Sequence, residues 1–182
     1  MRSHLASITA VLMLTSGAAL AQTMPSPPPM GPKAMADMAK SPGAYVTAAG
    51  ESDKFEITEG KLAETMATDP KIKAFGQKMV ADHTKSTMEV LRAAKMSGLP
   101  KMQPPVLRPD QQDMVAQLKA TSGPAFDHMY LQQQMQSHQA ALMVQQNYAE
   151  HGTDKDLRMA AMKIVPVVKE HISMLQSMNS GM

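Results

Sequence analysis

Between Gly43 and Met178 the chain is written almost entirely in helix formers, Ala, Glu, Lys, Gln, Leu and Met, with no run of β-branched or aromatic alternation. What interrupts them is proline and glycine, so the span can propagate helices and little else. The stops are Thr68-Asp69-Pro70, Ser97-Gly98-Leu99-Pro100, Thr121-Ser122-Gly123-Pro124 and His151-Gly152-Thr153-Asp154. At the first of them Asp69 is placed to cap, and Pro70 to take the first helical position, where a missing N–H costs nothing. Helices are therefore predicted over about 44–67, 70–96, 110–120, 125–150 and 155–178, with Pro104, Pro105 and Pro109 holding an extended stretch before the short third one. Pro166 lies inside the last helix and predicts a kink. Four long helices, two tight turns and one longer crossover carrying a short helix describe an all-α fold, an up-down four-helix bundle.

The segment before this domain reads as an address. Arg2 and His4 precede an apolar stretch from Leu5 to Leu14 and then small residues ending Ala19-Leu20-Ala21, the pattern of a secretory signal peptide cleaved after Ala21. The apolar stretch is shorter than the ~20 residues that span a bilayer, and no later window comes close, so no transmembrane segment is expected. The mature chain would be periplasmic or otherwise exported. Residues 22–42 carry Pro25, Pro27, Pro28, Pro29, Pro32 and Pro42 and read as an extended leader, 43–178 as the bundle, and 179–182 as a tail.

Charge and composition exclude several functions. With 18 Lys+Arg against 16 Asp+Glu the chain has no basic field to hold a phosphate backbone, so nucleic acid is excluded as a partner. With no Cys there is no disulfide, no thiolate metal site and no cysteine nucleophile. There is no Gly-rich phosphate loop, no G-x-S-x-G and no H-E-x-x-H, so no catalytic residue is assigned.

Helical projection gives a positive signal. On the second long helix Ile72, Gly76, Met79, Val80, Thr87, Val90 and Ala94 share one face, centred on His83. On the last helix Leu157, Ala160, Ile164, Val167, Val168, Met174, Leu175 and Met178 share a face centred on His171. The helix before it has a broader face, with Leu131, Met135, Ala141, Leu142, Tyr148 and Ala149 around His138, and with Asp127, Gln134 and Gln145 inside it. The first helix sets Glu56 among Tyr45, Ala49, Ser52, Gly60, Ala63 and Ala67, with Glu59 on the flank towards Leu62 and Met66. Each helix thus offers a metal-competent side chain where packing alone would want an apolar one.

Depth along the bundle tests whether these groups share a layer. Glu56 lies 13 residues before Asp69 and His83 lies 14 after it. His138 is 14 before Gly152 and His171 is 19 after it, an axial offset of ~7 Å at ~1.5 Å per residue. Three groups fit one level, and His171 fits it loosely. Two readings follow. In one, imidazoles and the Glu56 carboxylate, with Glu59 as an additional ligand, bind a single divalent ion such as Zn, Fe, Cu or Mn. In the other, the layer is a buried network in which Glu56, Glu59, Gln134 or tyrosine hydroxyls satisfy each imidazole. His128 and His151 fall at a face edge and beside a turn, and are expected in solvent.

The segments Glu56 to Ala63 (EITEGKLA), Pro70 to His83 (PKIKAFGQKMVADH), Phe126 to His138 (FDHMYLQQQMQSH) and Ile164 to His171 (IVPVVKEH) resemble a bacterial exported family of unknown function within the ferritin-like superfamily, often labelled outer-membrane proteins. The resemblance covers roughly 43–178. It implies a ferritin-like four-helix bundle in the periplasm or at the outer membrane, and it carries no activity. The di-iron sites of true ferritins use Glu-x-x-His pairs, whereas the residues three before the histidines here are Val80, Met135 and Val168. One His-rich site is the most that this pattern allows.

Two further features remain. The chain holds 20 Met, and Met35-x-x-Met38 and Met159-x-x-Met162 place thioethers at spacings that suit Cu(I), although Met also fills gaps in cores low in aromatics. Met159 and Met162 project away from the His171 face and are expected to be exposed. Gln132, Gln133, Gln134 and Gln136 read as a solvated face or a contact surface for an envelope partner or a second copy.

Overall fold

The computed structural model describes residues 41–180, and among them it contains five helices and no strand: α1 (Pro42–Met66), α2 (Pro70–Met96), α3 (Pro109–Lys119), α4 (Pro124–His151) and α5 (Lys155–Asn179). The expected signal peptide, Met35 and Met38 lie outside the described residues, as does the leader up to Lys40. Helix ends fall within about two residues of the sequence stops, as helix boundaries commonly do. Pro42, Pro70, Pro109 and Pro124 each open a helix. Pro42 therefore starts the bundle rather than closing the leader. Asp69 accepts from Lys71 N at 2.7 Å and Asp154 from Leu157 N at 2.9 Å, capping α2 and α5. Helix α5 runs on through Pro166, whose exposed position turns the one lost backbone bond towards solvent.

The long helices neighbour one another in the ring α1, α2, α5, α4, and α3 lies against α1 and α4. Contacts at the ends set the directions. Tyr45 near the start of α1 stacks on Tyr148 near the end of α4, with ring centroids 3.9 Å apart. At the opposite end the Asp127 carboxylate, from the first turn of α4, accepts from Thr68 N and Asp69 N, both at 2.9 Å, and from the Thr68 hydroxyl. One buried carboxylate thus satisfies the backbone of the α1–α2 turn. Ser97 after α2 donates to Asp154 before α5 at 2.6 Å. Neighbouring helices are therefore antiparallel, and the crossover between α2 and α4 travels the length of the bundle. No described helix is long and apolar enough to cross a membrane.

The tightest crossing is between α1 and α2 at Gly60 and Gly76. A Cβ on Gly60 would lie 2.8 Å from the Gly76 carbonyl oxygen, and one on Gly76 would lie 2.7 Å from that of Gly60. This crossing brings the polar residues of α1 close to those of α2.

The core is split in two. Tyr45, Val90, Val144, Tyr148, Leu157 and Val168 belong to one apolar cluster, and Phe75, Met79, Phe126, Tyr130, Leu131 and Leu175 to the other. Between them lie buried Asp53, Glu56, Glu59, His83, Gln134, His138 and His171. All six aromatic residues of the chain are fully buried, and they supply the bulk that methionine was expected to provide. Among the described residues Met79 is the only fully buried methionine, while Met88, Met96, Met143, Met159 and Met162 are exposed. The glutamines correct a second expectation. Gln132 and Gln136 face solvent and Gln134 is buried on the inner face of α4 against Glu59, but Gln133 is buried as well, because α3 lies over α4 and its Met114 carbonyl accepts from Gln133 Nε2 at 3.1 Å.

Candidate metal centre

His83 projects from α2, His138 from α4 and His171 from α5, and one ring nitrogen of each lies within 4.8 Å of the others. Their exposures are 3%, 0% and 0%. Cα positions alone set His171 too far along its helix to share the layer. Side chains lean towards the N-terminus of their own helix. On antiparallel α4 and α5 that lean carries the His138 ring away from the Gly152 turn and the His171 ring towards it, and the two meet.

Hydrogen bonds fix the tautomers. His83 Nδ1 lies 2.8 Å from Asp53 Oδ1, and a carboxylate only accepts, so Nδ1 carries a proton, and in the neutral ring Nε2 holds the lone pair. His138 Nδ1 lies 2.9 Å from the Gln134 carbonyl oxygen, which leaves its Nε2 a lone pair by the same reasoning. His171 Nε2 lies 2.9 Å from Asp82 Oδ2, so its lone pair is on Nδ1. His171 Nδ1 is 3.2 Å from His138 Nε2, and His83 Nε2 is buried with no hydrogen-bond partner. Three ring nitrogens therefore converge on one place, with lone pairs face to face on His138 and His171 and a third on His83 once its ring is neutral.

A proton could bridge the facing pair, but the surroundings oppose it. Burial, with the charge of His83, pushes the His138 pKa down to about 3. Burial also pushes His171 down to about 4, against the hydrogen bond that its Nε2 donates to Asp82. Both rings are neutral at pH 7. For His83 burial works against the charged form, but the hydrogen bond and charge of Asp53, with Glu56 and Asp82, outweigh it and the net shift is upward. A tetrahedral ion with bonds of ~2.0–2.1 Å sets its nitrogens roughly 3.3 Å apart. The 3.2 Å between His138 and His171 already matches that edge.

Behind each imidazole stands an acceptor, as behind metal-bound histidines generally. Asp53 is held in turn by the Thr87 hydroxyl at 2.9 Å, and Asp82 by Lys78 at 2.9 Å. Phe75 closes the layer, its ring centroid 6.2 Å from His171 and 6.4 Å from His138. Asp82 is the group nearest solvent, with a side chain 27% exposed. With Ser86, Ile164 and Val167 it lines a cleft of about 340 Å³ between α2 and α5.

The glutamates take different places. Glu56 is fully buried, its Oε1 3.6 Å from His138 Nδ1, and neither oxygen accepts a well-formed hydrogen bond, although the Ser137 hydroxyl and the Gln134 amide both act on it. Burial pushes its pKa up to about 7, against the pull of His83. Glu59 accepts from Gln134 Nε2 at 2.9 Å, and burial raises its carboxyl well above the usual range. The group of converging ligand atoms consists of histidines alone. The sequence reading missed Asp53 and Asp82, which hold His83 and His171 in the roles it gave to glutamates and tyrosines. Asp53 lies three residues before Glu56 and so on its face, a signal that was present. Asp82 precedes His83 and projects off its face, and it reaches His171 only because α2 and α5 are neighbours. His128 and His151 are exposed, as expected.

No curated protein and no solved structure matches the sequence. One family profile matches residues 27–178, nearly the whole of the bundle and its approach, and the chain belongs to that family, the domain of unknown function DUF4142.

Proposed function

We propose that this protein is an exported bacterial metal-binding bundle that holds one divalent ion, Zn, Fe, Cu or Mn, through His83 Nε2, His138 Nε2 and His171 Nδ1. Glu56, 3.6 Å from the other ring nitrogen of His138, balances the charge from the adjoining side of the layer. The observation that carries this reading is the convergence of three buried imidazole nitrogens whose opposite nitrogens are each tied to a fixed acceptor. A hydrogen-bond network would have paired His138 with His171 as donor and acceptor and left no orphan on His83. Three neutral nitrogens select borderline ions over Mg or Ca, and the bound ion keeps a fourth position for water or a ligand.

Export to the periplasm rests on the signal-like segment ending at Ala21. A ferritin-like ancestry is supported by the antiparallel bundle with an end-to-end crossover, although three histidines replace the carboxylate-rich centre. The test is elemental analysis of the mature protein purified from its own periplasm without chelator. One divalent ion per chain, lost in His83→Ala, is expected. Metal-free protein whose melting temperature is unmoved by added zinc would return the layer to a hydrogen-bond network.

A further inference from the structure

A histidine-bound ion leaves part of the same layer unsatisfied. Glu56 and Glu59 are three residues apart on α1, and Tyr130 and Gln134 are four apart on α4, so each pair occupies one helix face. The two faces meet where Gln134 Nε2 donates to Glu59 Oε2 at 2.9 Å. On either side of that bond both oxygens of Glu56, Oε1 of Glu59, Oε1 of Gln134 and the Tyr130 hydroxyl are buried with no hydrogen-bond partner. All four residues are 0% exposed. Among the described residues no lysine or arginine forms an ion pair with either carboxylate, and the charge that acts most on Glu56 is that of His83.

The hydrogen supply falls short. Apart from the bond already made, the cluster has the Tyr130 O–H and the second Gln134 N–H to donate, and the Ser137 hydroxyl beside Glu56 is already given to the Gln133 carbonyl at 2.8 Å, against two carboxylates and an amide oxygen that accept. Buried acceptors in that excess need protons or a cation. The three histidine nitrogens gather without a carboxylate, so their ion does not use up these oxygens.

We infer that the oxygen cluster of Glu56, Glu59, Gln134 and Tyr130 is a second cation site, adjoining the histidine centre and suited to a hard ion such as Mn²⁺ or Mg²⁺. Carboxylate, amide and phenol oxygens are the donor set that such ions take, completed by water. The site lies between α1 and α4, whereas the histidines come from α2, α4 and α5, so the two sites fill the layer from opposite sides with Glu56 between them. The count of one ion made from the sequence considered histidines and carboxylates alone, and neither Tyr130 nor the Gln134 amide oxygen entered it.

The test uses the mature chain loaded with one equivalent of Zn²⁺ to occupy the nitrogens, dialysed and titrated with Mn²⁺, with free Mn²⁺ read by its solution EPR signal. One Mn²⁺ bound per zinc-loaded chain is expected. Glu59→Gln, which keeps the shape of the side chain, weakens that binding at least tenfold and leaves the zinc in place. Tyr130→Phe weakens it severalfold, which gives a second reading if Glu59→Gln folds poorly. Zinc-loaded protein that leaves all the manganese free overturns the second site alone, and so does a folded Glu59→Gln that binds manganese as wild type does. Protein that takes manganese but no zinc keeps the second site and removes the histidine centre. Protein that takes neither ion removes both.

Discussion

Replacing His171 with leucine separates the two readings of the buried layer by the sign of its effect. Leucine is close to histidine in volume and removes one of the two lone pairs that face each other at 3.2 Å. Asp82, released from His171, stays paired with Lys78 at 2.9 Å and keeps part of its side chain in solvent, so it is not stranded. In chelator the variant therefore gives up an unfavourable contact and gains apolar surface in a fully buried position. Its stability should fall within about 1 kcal/mol of wild type or exceed it, since a buried polar atom without a partner costs ~1–3 kcal/mol. With zinc the order reverses. Wild type at a free zinc concentration 100 times Kd gains ~2.7 kcal/mol, and the variant, with two nitrogens left, gains little. At roughly 2–4 °C per kcal/mol for a domain of about this size, the gain appears as a rise of ~5–10 °C in wild type only. Paired urea melts in EDTA and in buffered zinc measure both quantities. A His171→Leu protein that loses ~3 kcal/mol in EDTA would show that the His138–His171 contact stabilises the metal-free fold as a hydrogen bond, and the lone-pair argument would fail.

Other perturbations follow from the same geometry. Asp53→Asn removes the carboxylate that holds the His83 N–H, and zinc affinity measured by competition with a chelating dye should drop ~10–100-fold while the fold persists. An unchanged affinity would show that Asp53 does not position the ring. Gly60→Ala forces a Cβ to within 2.8 Å of the Gly76 carbonyl oxygen and should cost ~1–3 kcal/mol in a denaturant melt. A neutral result would show that α1 and α2 part without strain. The metal-free protein should also lose stability on both sides of a narrow pH range. His138 and His171 fold with pKa values near 3 and 4, below the unfolded 6.5, so their contribution is complete above pH 6.5 and lost as pH falls towards those values. Glu56 folds with a pKa of about 7, above its unfolded 4.5, so its contribution is present below 4.5 and lost as pH rises through 7. Thermal melts in EDTA should peak between about pH 5 and 7, and zinc should lift the neutral and alkaline side most. A metal-free melting temperature that is flat from pH 4 to 9 would contradict these shifts.

Much of the fold was legible because proline and glycine mark the helix ends and the intervening residues are strong helix formers. The histidines were legible for a related reason: His83, His138 and His171 interrupt apolar faces, and periodicity exposes that without coordinates. Their partners were harder to see. Asp82 sits off the His83 face and becomes a partner only across the α2–α5 seam, which depends on the ring order of the helices. Glu56 and Glu59 were assigned to the right layer, but Cα levels cannot show that Glu59 turns to Gln134 instead of an imidazole. Gln133 read as solvated because its burial comes from α3, a separate helix laid over α4. The methionines misled through their number, since six aromatics at well-placed positions fill the two apolar clusters and leave many methionines at the surface.

The central claim is that three imidazoles bind one ion, and X-ray absorption at the zinc edge of protein carrying one equivalent of Zn²⁺ addresses it directly. The account predicts three imidazole ligands at ~2.0–2.1 Å in a four-coordinate shell, with one fewer in His138→Ala. A shell of oxygens alone, or the same spectrum from wild type and His138→Ala, would contradict it.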